Sequence, residues 1–216
     1  MVKTLGILVD SSGSMMDMSP SETVQSLNKN IQKIADDNTS IFVARFSDDY
    51  EIFIKNKKKN DIKIKETDIT PDGLTALYDG IKFICNDISE SCGKDSENNK
   101  ETTVIILTDG AENSSQFASI SDVREILTEK QKLGWNFVFL GANQDAIITG
   151  KNLGINQSSC CTYSATPGGL SSVLDSTSQA INRYETLGEH NIEFTQEERV
   201  ESASFPNVIE NNYEIL

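Results

Sequence analysis

Two short apolar runs in this sequence end on the same chemistry. Leu5 to Val9 runs into Asp10, and Thr102 to Leu107 runs into Thr108-Asp109-Gly110. A run of that length without polar alternation reads as a strand buried on both faces, and such strands need helices above and below the sheet. The rest of the chain supplies them. Ser19-Pro20-Ser21-Glu22 offers a capping box with proline at the first helical position, and Val24, Leu27, Ile31 and Ile34 then recur on one face. Leu77, Ile81, Ile84 and Ile88 mark a helix from about Ala76 to Ser91, with Cys85 packed beside it. Further helices are expected from about Ser121 to Leu133 and from Ala146 to Leu153. A last one starts at Thr166-Pro167, turns Leu170, Val173, Leu174, Ile181 and Tyr184 inward, and stops at Gly188.

Between these helices, Ile41 to Phe46 and Glu51 to Lys55 read as strands joined by the polar turn Ser47-Asp48-Asp49. Asn136 to Leu140 and Cys160 to Tyr163 complete a set of six. Strands alternating with helices of this length argue a Rossmann-like, doubly wound, mostly parallel six-stranded α/β sheet with one antiparallel edge strand and helices on both faces. The lysine-rich stretch Lys55 to Lys65 reads as a solvated loop or a protected edge. Residues 1–188 are expected to form the domain. Residues 189–216, with seven glutamates and one arginine, read as an acidic C-terminal surface arm.

In such a sheet, ligands bind beyond the carboxyl ends of the strands where the strand order reverses. Asp10 and Asp109 end the two strands expected there. Two carboxylates in one crevice repel unless a cation or a shared proton intervenes. Around them, alternate residues Asp10, Ser12 and Ser14 can point one way while Gly13 turns the backbone, and Asp72-Gly73-Leu74-Thr75 can bring the Thr75 hydroxyl from the opposite side. Carboxylate and hydroxyl oxygens are hard ligands, and Mg²⁺ takes about six of them at roughly 2.0–2.1 Å, usually with several waters. Asp-x-Ser-x-Ser alone, or Thr-Asp-Gly alone, reads equally well as a helix cap or a turn.

Taken in order at the ends of these strands, the residues resemble the von Willebrand factor type A domain and its metal-ion-dependent adhesion site. Asp10, Ser12 and Ser14 match the first element of that family's pattern, Thr75 in Gly73-Leu74-Thr75 the second, and Asp109 in Thr108-Asp109-Gly110 the third. The resemblance runs from about Val2 through Leu187. It implies a bound Mg²⁺ or Mn²⁺ whose sphere is left one ligand short, completed by an aspartate or glutamate carboxylate from a protein partner. It also implies that Asp109, held directly or through water, tunes how strongly the ion takes that carboxylate. The function expected on this basis is metal-dependent protein binding, with no catalysis.

Other classes fare worse. A formal charge of −14 repels nucleic acid and anionic membranes. No apolar stretch approaches a membrane span and the N-terminus lacks an export signal, so a cytoplasmic location is expected. The cysteines Cys85, Cys92, Cys160 and Cys161 lack zinc-ligand spacing, and the vicinal pair argues against a disulfide framework. A haloacid dehalogenase-like phosphotransferase would need a second acid where Ser12 stands. A serine hydrolase would need a histidine near Ser12 or Ser14, and the sole histidine is His190. No phosphate-binding glycine loop follows a strand, since Gly168-Gly169 lacks its lysine. A structural or assembly protein, with the metal pinning the fold and the acidic arm mediating packing or self-association, is the alternative of a different class. Asp17, Asp72, Asp79 and Glu112 could support the site or simply favour helix starts. Met15, Met16 and Met18 could form a lip for a partner or cover the core, and Trp135 reads as packing.

Overall fold

The computed structural model describes residues 3–92, 101–142, 145–188 and 191–204. Its six strands are β1 (Thr4–Asp10), β2 (Ser40–Phe46), β3 (Tyr50–Lys57), β4 (Thr102–Thr108), β5 (Asn136–Ala142) and β6 (Cys160–Tyr163). They form one sheet in the order β3-β2-β1-β4-β5-β6. All neighbours are parallel except β3, which runs back along β2 as the expected edge hairpin. The order reverses between β1 and β4, which pair from Thr4 with Thr102 to Val9 with Leu107. Their carboxyl ends therefore open side by side, as the sequence reading requires.

Among the described residues six α-helices accompany the sheet: α1 (Pro20–Ile34), α2 (Leu77–Cys92), α3 (Ile120–Lys132), α4 (Ala146–Leu153), α5 (Pro167–Leu187) and α6 (Gln196–Ala203). Side chains alternate across a strand, so each strand feeds two cores. Leu5, Ile7 and Val9 of β1 join Leu27 and Ile31 of α1 and Val173 and Ile181 of α5 on one face. Leu8 of β1 joins Ile81 and Ile84 of α2 and Leu127 of α3 on the other. Gly6 lies on that second face, where a methyl group would stand 2.8 Å from Ile88 Cδ1, so its lack of a side chain lets α2 pack closely. Trp135 is buried, as the packing reading has it.

Local chemistry sets the helix ends. Ser19 accepts the Glu22 N–H at 3.4 Å and Pro20 takes the first helical position. Gly188 ends α5 in a left-handed conformation, φ 68°, that suits glycine.

The structure corrects two expectations. The lysine-rich stretch is not simply solvated: Asn28 of α1 brackets Ile64 with two bonds of 3.0 Å, and Ile64 enters the core. Weak apolar spacing hid it among lysines. Nor is everything after Gly188 a surface arm, because Ile192 and Phe194 are buried and α6 packs on α5 and β6. Glu198 of α6 accepts two bonds from Arg183 of α5 at 2.7 and 2.8 Å. Phe194 N–H reaches Ser158 O, and Ser164 N–H reaches Ser202 O, each at 3.0 Å. The segment thus covers the outer edge of β6, a role that acidic composition does not announce.

Candidate metal centre

Asp10 ends β1 with its carboxylate fully buried. One oxygen accepts Ser12 N–H at 2.8 Å and the other accepts the Thr108 hydroxyl at 2.6 Å. The Ser12 hydroxyl and the Asp109 N–H also bond to it. Burial raises its pKa, and these bonds pull it back only in part. A buried carboxylate in that condition gains from a nearby cation.

The loop after β1 bends at once into a tight turn from Gly13 to Asp17. Gly13 keeps an ordinary backbone there. Its N–H donates to Gly73 O at 3.0 Å. Asp72 N–H donates to Ser11 O at 2.8 Å, so two bonds lock the loop after β1 to the segment before α2. The turn brings Ser12 Oγ within 3.0 Å of Ser14 Oγ, and Ser14 donates to Asp109 Oδ1 at 2.6 Å.

Thr75 enters from the other side. Its N–H donates to Asn113 Oδ1 at 2.8 Å and its carbonyl accepts Asn113 N–H at 3.0 Å. A methyl group on Gly110 would stand 2.9 Å from Thr75 Oγ1 and 3.6 Å from Ser14 Oγ, so the two hydroxyls flank a common space. Oxygens of Asp10, Ser12, Ser14, Thr75 and Asp109 are thus gathered from three loops at one end of the sheet. Among the described residues, no three His, Cys, Asp or Glu side chains form a metal cluster. The donors are hydroxyls with two carboxylates, a hard set that fits Mg²⁺ or Mn²⁺.

Three residues with structural parts here carry no assignment from the sequence. Thr108 orients Asp10, and Asn113 pins Thr75; the first sits inside a quoted motif, and the second gives no signal. Tyr163 is buried, its hydroxyl has no hydrogen-bond partner among the described residues, and burial, then the charges of Asp109 and Asp10, hold its pKa well above the ordinary value. The neighbouring acids have other uses. Asp79 accepts Gln116 and Phe117 N–H at 2.7 and 2.9 Å, and Glu112 accepts Tyr78 N–H at 3.0 Å at the start of α2. Asp72 bonds the N–H of its neighbour Gly73. The side chain of Asp17 lies outside the described residues, as does His190. The methionines divide: Met15 and Met18 are core, whereas Met16 is 65% exposed beside the site.

The family described as von Willebrand factor type A domain matches residues 5–182. Among solved structures, proximal thread matrix protein 1 from the mussel byssus, with a zinc-occupied MIDAS motif, superposes with a TM-score of 0.62 at 20% identity. That match covers 80% of this chain and 46% of the mussel chain, so the present chain spans about half the length of that protein. The ArnB paralog VWA2 from Sulfolobus acidocaldarius matches with a TM-score of 0.54 at 17% identity, over 82% of this chain and 45% of that one. The vWF domain of the type V pili tip protein Mfa5 from Porphyromonas gingivalis matches with a TM-score of 0.60 at 12% identity, over 90% and 98%. No curated protein matches the chain in sequence.

Proposed function

The chain belongs to the von Willebrand factor type A domain family, and from that premise we propose that it is a metal-dependent protein-binding module. Asp10, Ser12, Ser14, Thr75 and Asp109 would hold Mg²⁺ or Mn²⁺. The bound ion would supply an electrophilic position for an aspartate or glutamate carboxylate of a protein partner. The observation that carries this reading is the hydroxyl chain from Ser12 through Ser14 to Asp109, at 3.0 and 2.6 Å, with Thr75 across the same space. Five oxygen donors from three loops have little reason to converge around two acids unless a cation belongs there. The mussel relative's zinc lends support for metal at this position, and the all-oxygen donors here favour a harder ion.

Domains of this family are generally adhesion or structural modules, not enzymes. The Ser12 hydroxyl bonds that of Ser14, and Ser14 alone donates to Asp109. A reduced cytoplasmic setting belongs to the same proposal, as does the exclusion of nucleic acid and membrane as partners. Among the described residues, no helix is long and apolar enough to cross a membrane.

The test is calorimetric titration of the full chain with Mg²⁺ and Mn²⁺, beside Asp10→Ala and Thr75→Ala, followed by pull-down with and without EDTA. Saturable uptake by the parent, loss in folded variants, and a partner released by EDTA are expected. Absence of uptake would end the reading. Variants that only unfold would favour the alternative, in which the metal mainly stabilises an assembly protein.

A further inference from the structure

Next to the metal loops, between α2 and the β2–β3 hairpin, lies a groove of about 560 Å³. Three aromatic rings run along it. Tyr50 and Phe83 have centroids 5.4 Å apart, and Phe83 and Phe117 5.9 Å, both pairs tilted. Phe117 is 65% exposed, a large ring left in water at the groove's lip. Its position is fixed from behind, since Asp79 accepts the N–H groups of Gln116 and Phe117. These partly buried bonds fix the backbone that carries the ring.

The rim is acidic. Asp48, Asp49, Asp79, Asp87 and Glu90 line the groove, and no lining residue is basic. Asp87 is neutralised from outside, accepting Tyr50 Oη at 2.8 Å and Lys55 Nζ at 2.6 Å. Asp79 is occupied by backbone. Asp49 is paired with Arg45 Nη1 at 3.5 Å, which leaves Asp48 and Glu90 to hold negative charge beside the rings. Aromatic faces beneath a carboxylate rim attract cations and repel anions, whereas a neutral apolar occupant would strip water from the acids without replacing it.

We propose that this groove anchors a basic side chain, arginine in the first place, of a protein partner. A guanidinium is planar, stacks on rings and forks to carboxylates, which a lysine ammonium does less well. The chain's formal charge of −14 draws basic partners to it. The groove begins at Ala76, one residue beyond Thr75, so a partner whose acid reached the metal loops would bring its neighbouring residues here. That last placement rests on the metal reading. The groove's own affinity does not.

The experiment uses the full chain with ¹³C-labelled tyrosine and phenylalanine rings, in EDTA, titrated with acetyl-arginine methylamide and with its neutral isostere acetyl-citrulline methylamide. Arginine should shift the Tyr50, Phe83 and Phe117 ring signals saturably, and citrulline should bind about tenfold more weakly. Phe83→Leu should abolish the effect. Phe117→Ala, at an exposed position that cannot unfold the domain, should weaken it severalfold, as should Asp48→Asn with Glu90→Gln. Equal shifts from arginine and citrulline, or unmoved ring signals with arginine, would overturn the proposal. Because EDTA removes any bound cation, either outcome is independent of the fate of the metal site.

Discussion

Ser14 donates its hydroxyl to Asp109 Oδ1 at 2.6 Å, joining loops whose residues stand 95 positions apart in sequence. Ser14 is exposed, so the bond contributes about 1 kcal/mol to stability at most. Its larger effect is to aim Asp109. Ser14→Ala is expected to leave urea unfolding in EDTA nearly unchanged and to weaken Mg²⁺ binding about tenfold or more, since one ligand oxygen is lost and another loosened. Calorimetry on a variant of parental stability checks this. Unchanged Mg²⁺ affinity would remove Ser14 from the ligand set.

Gly110 gives a second handle on the same space. A methyl group there would meet Thr75 Oγ1 at 2.9 Å, which is too close without movement. Gly110→Ala should cost about 1–2 kcal/mol through crowding. It should also push Thr75 out of position and lower Mg²⁺ affinity about tenfold. A parallel titration of Thr75→Ala should give a similar loss. If Gly110→Ala binds normally, the space beside Thr75 is not where the ion sits.

The order of elements is legible in the sequence because burial on both faces leaves a direct trace: Leu5 to Val9 and Thr102 to Leu107 have nowhere to be except the middle of a covered sheet. The five oxygen-bearing side chains that the fold gathers stand out in the sequence because most sit beside a strand end or a turn glycine. Asn113 is not, since one side-chain amide bonding a backbone N–H carries no pattern. Nor is the docking of α6. Its hold comes from Arg183 and Arg199 bonding across the fold, and a sequence of glutamates shows their charge but not their partners. The aromatic groove leaves no trace for the same reason, as Tyr50, Phe83 and Phe117 come from three separate segments.

Three thiols are shut away. Burial pushes the Cys85 and Cys160 pKa values up to about 12 and that of Cys161 to about 11. The thiolate is the reactive form, so at pH 8 these groups should resist iodoacetamide in the native protein and react after unfolding in urea. Mass spectrometry of the modified peptides reads the result site by site. Rapid native labelling of Cys160 or Cys161 would mean that the α6 cover opens readily.

Asp175 of α5 accepts Lys33 Nζ at 2.6 Å and Lys29 Nζ at 3.0 Å, tying α5 to α1. Partial burial pushes its pKa up, but the two lysines outweigh burial and leave it below the ordinary 3.8. A lowered carboxylate pKa contributes stability above 3.8 that is lost as pH falls through the folded value. Because all three side chains are partly solvated, Asp175→Asn should cost less than about 1 kcal/mol at neutral pH. Urea unfolding of parent and variant should converge in strong acid. A gap that persists there would assign the effect to packing.

Arg199 of α6 donates to the carbonyls of Ser158 at 2.9 Å, Gln157 at 3.2 Å and Cys160. These carbonyls belong to the turn Gln157–Ser159 and to the start of β6, and no single other side chain among the described residues serves all three. Arg199→Ala should therefore leave several acceptors poorly satisfied and cost about 1–3 kcal/mol. Arg199→Lys should recover only part, because a point charge cannot span three carbonyls as a guanidinium fork does. Hydrogen exchange supplies the local readout: in the alanine variant the Phe194 and Ser164 amides, which bond Ser158 and Ser202, should exchange faster, while amides at the centre of β1 keep their protection. Uniform acceleration across the sheet would instead show that α6 is part of the cooperative core and cannot loosen on its own.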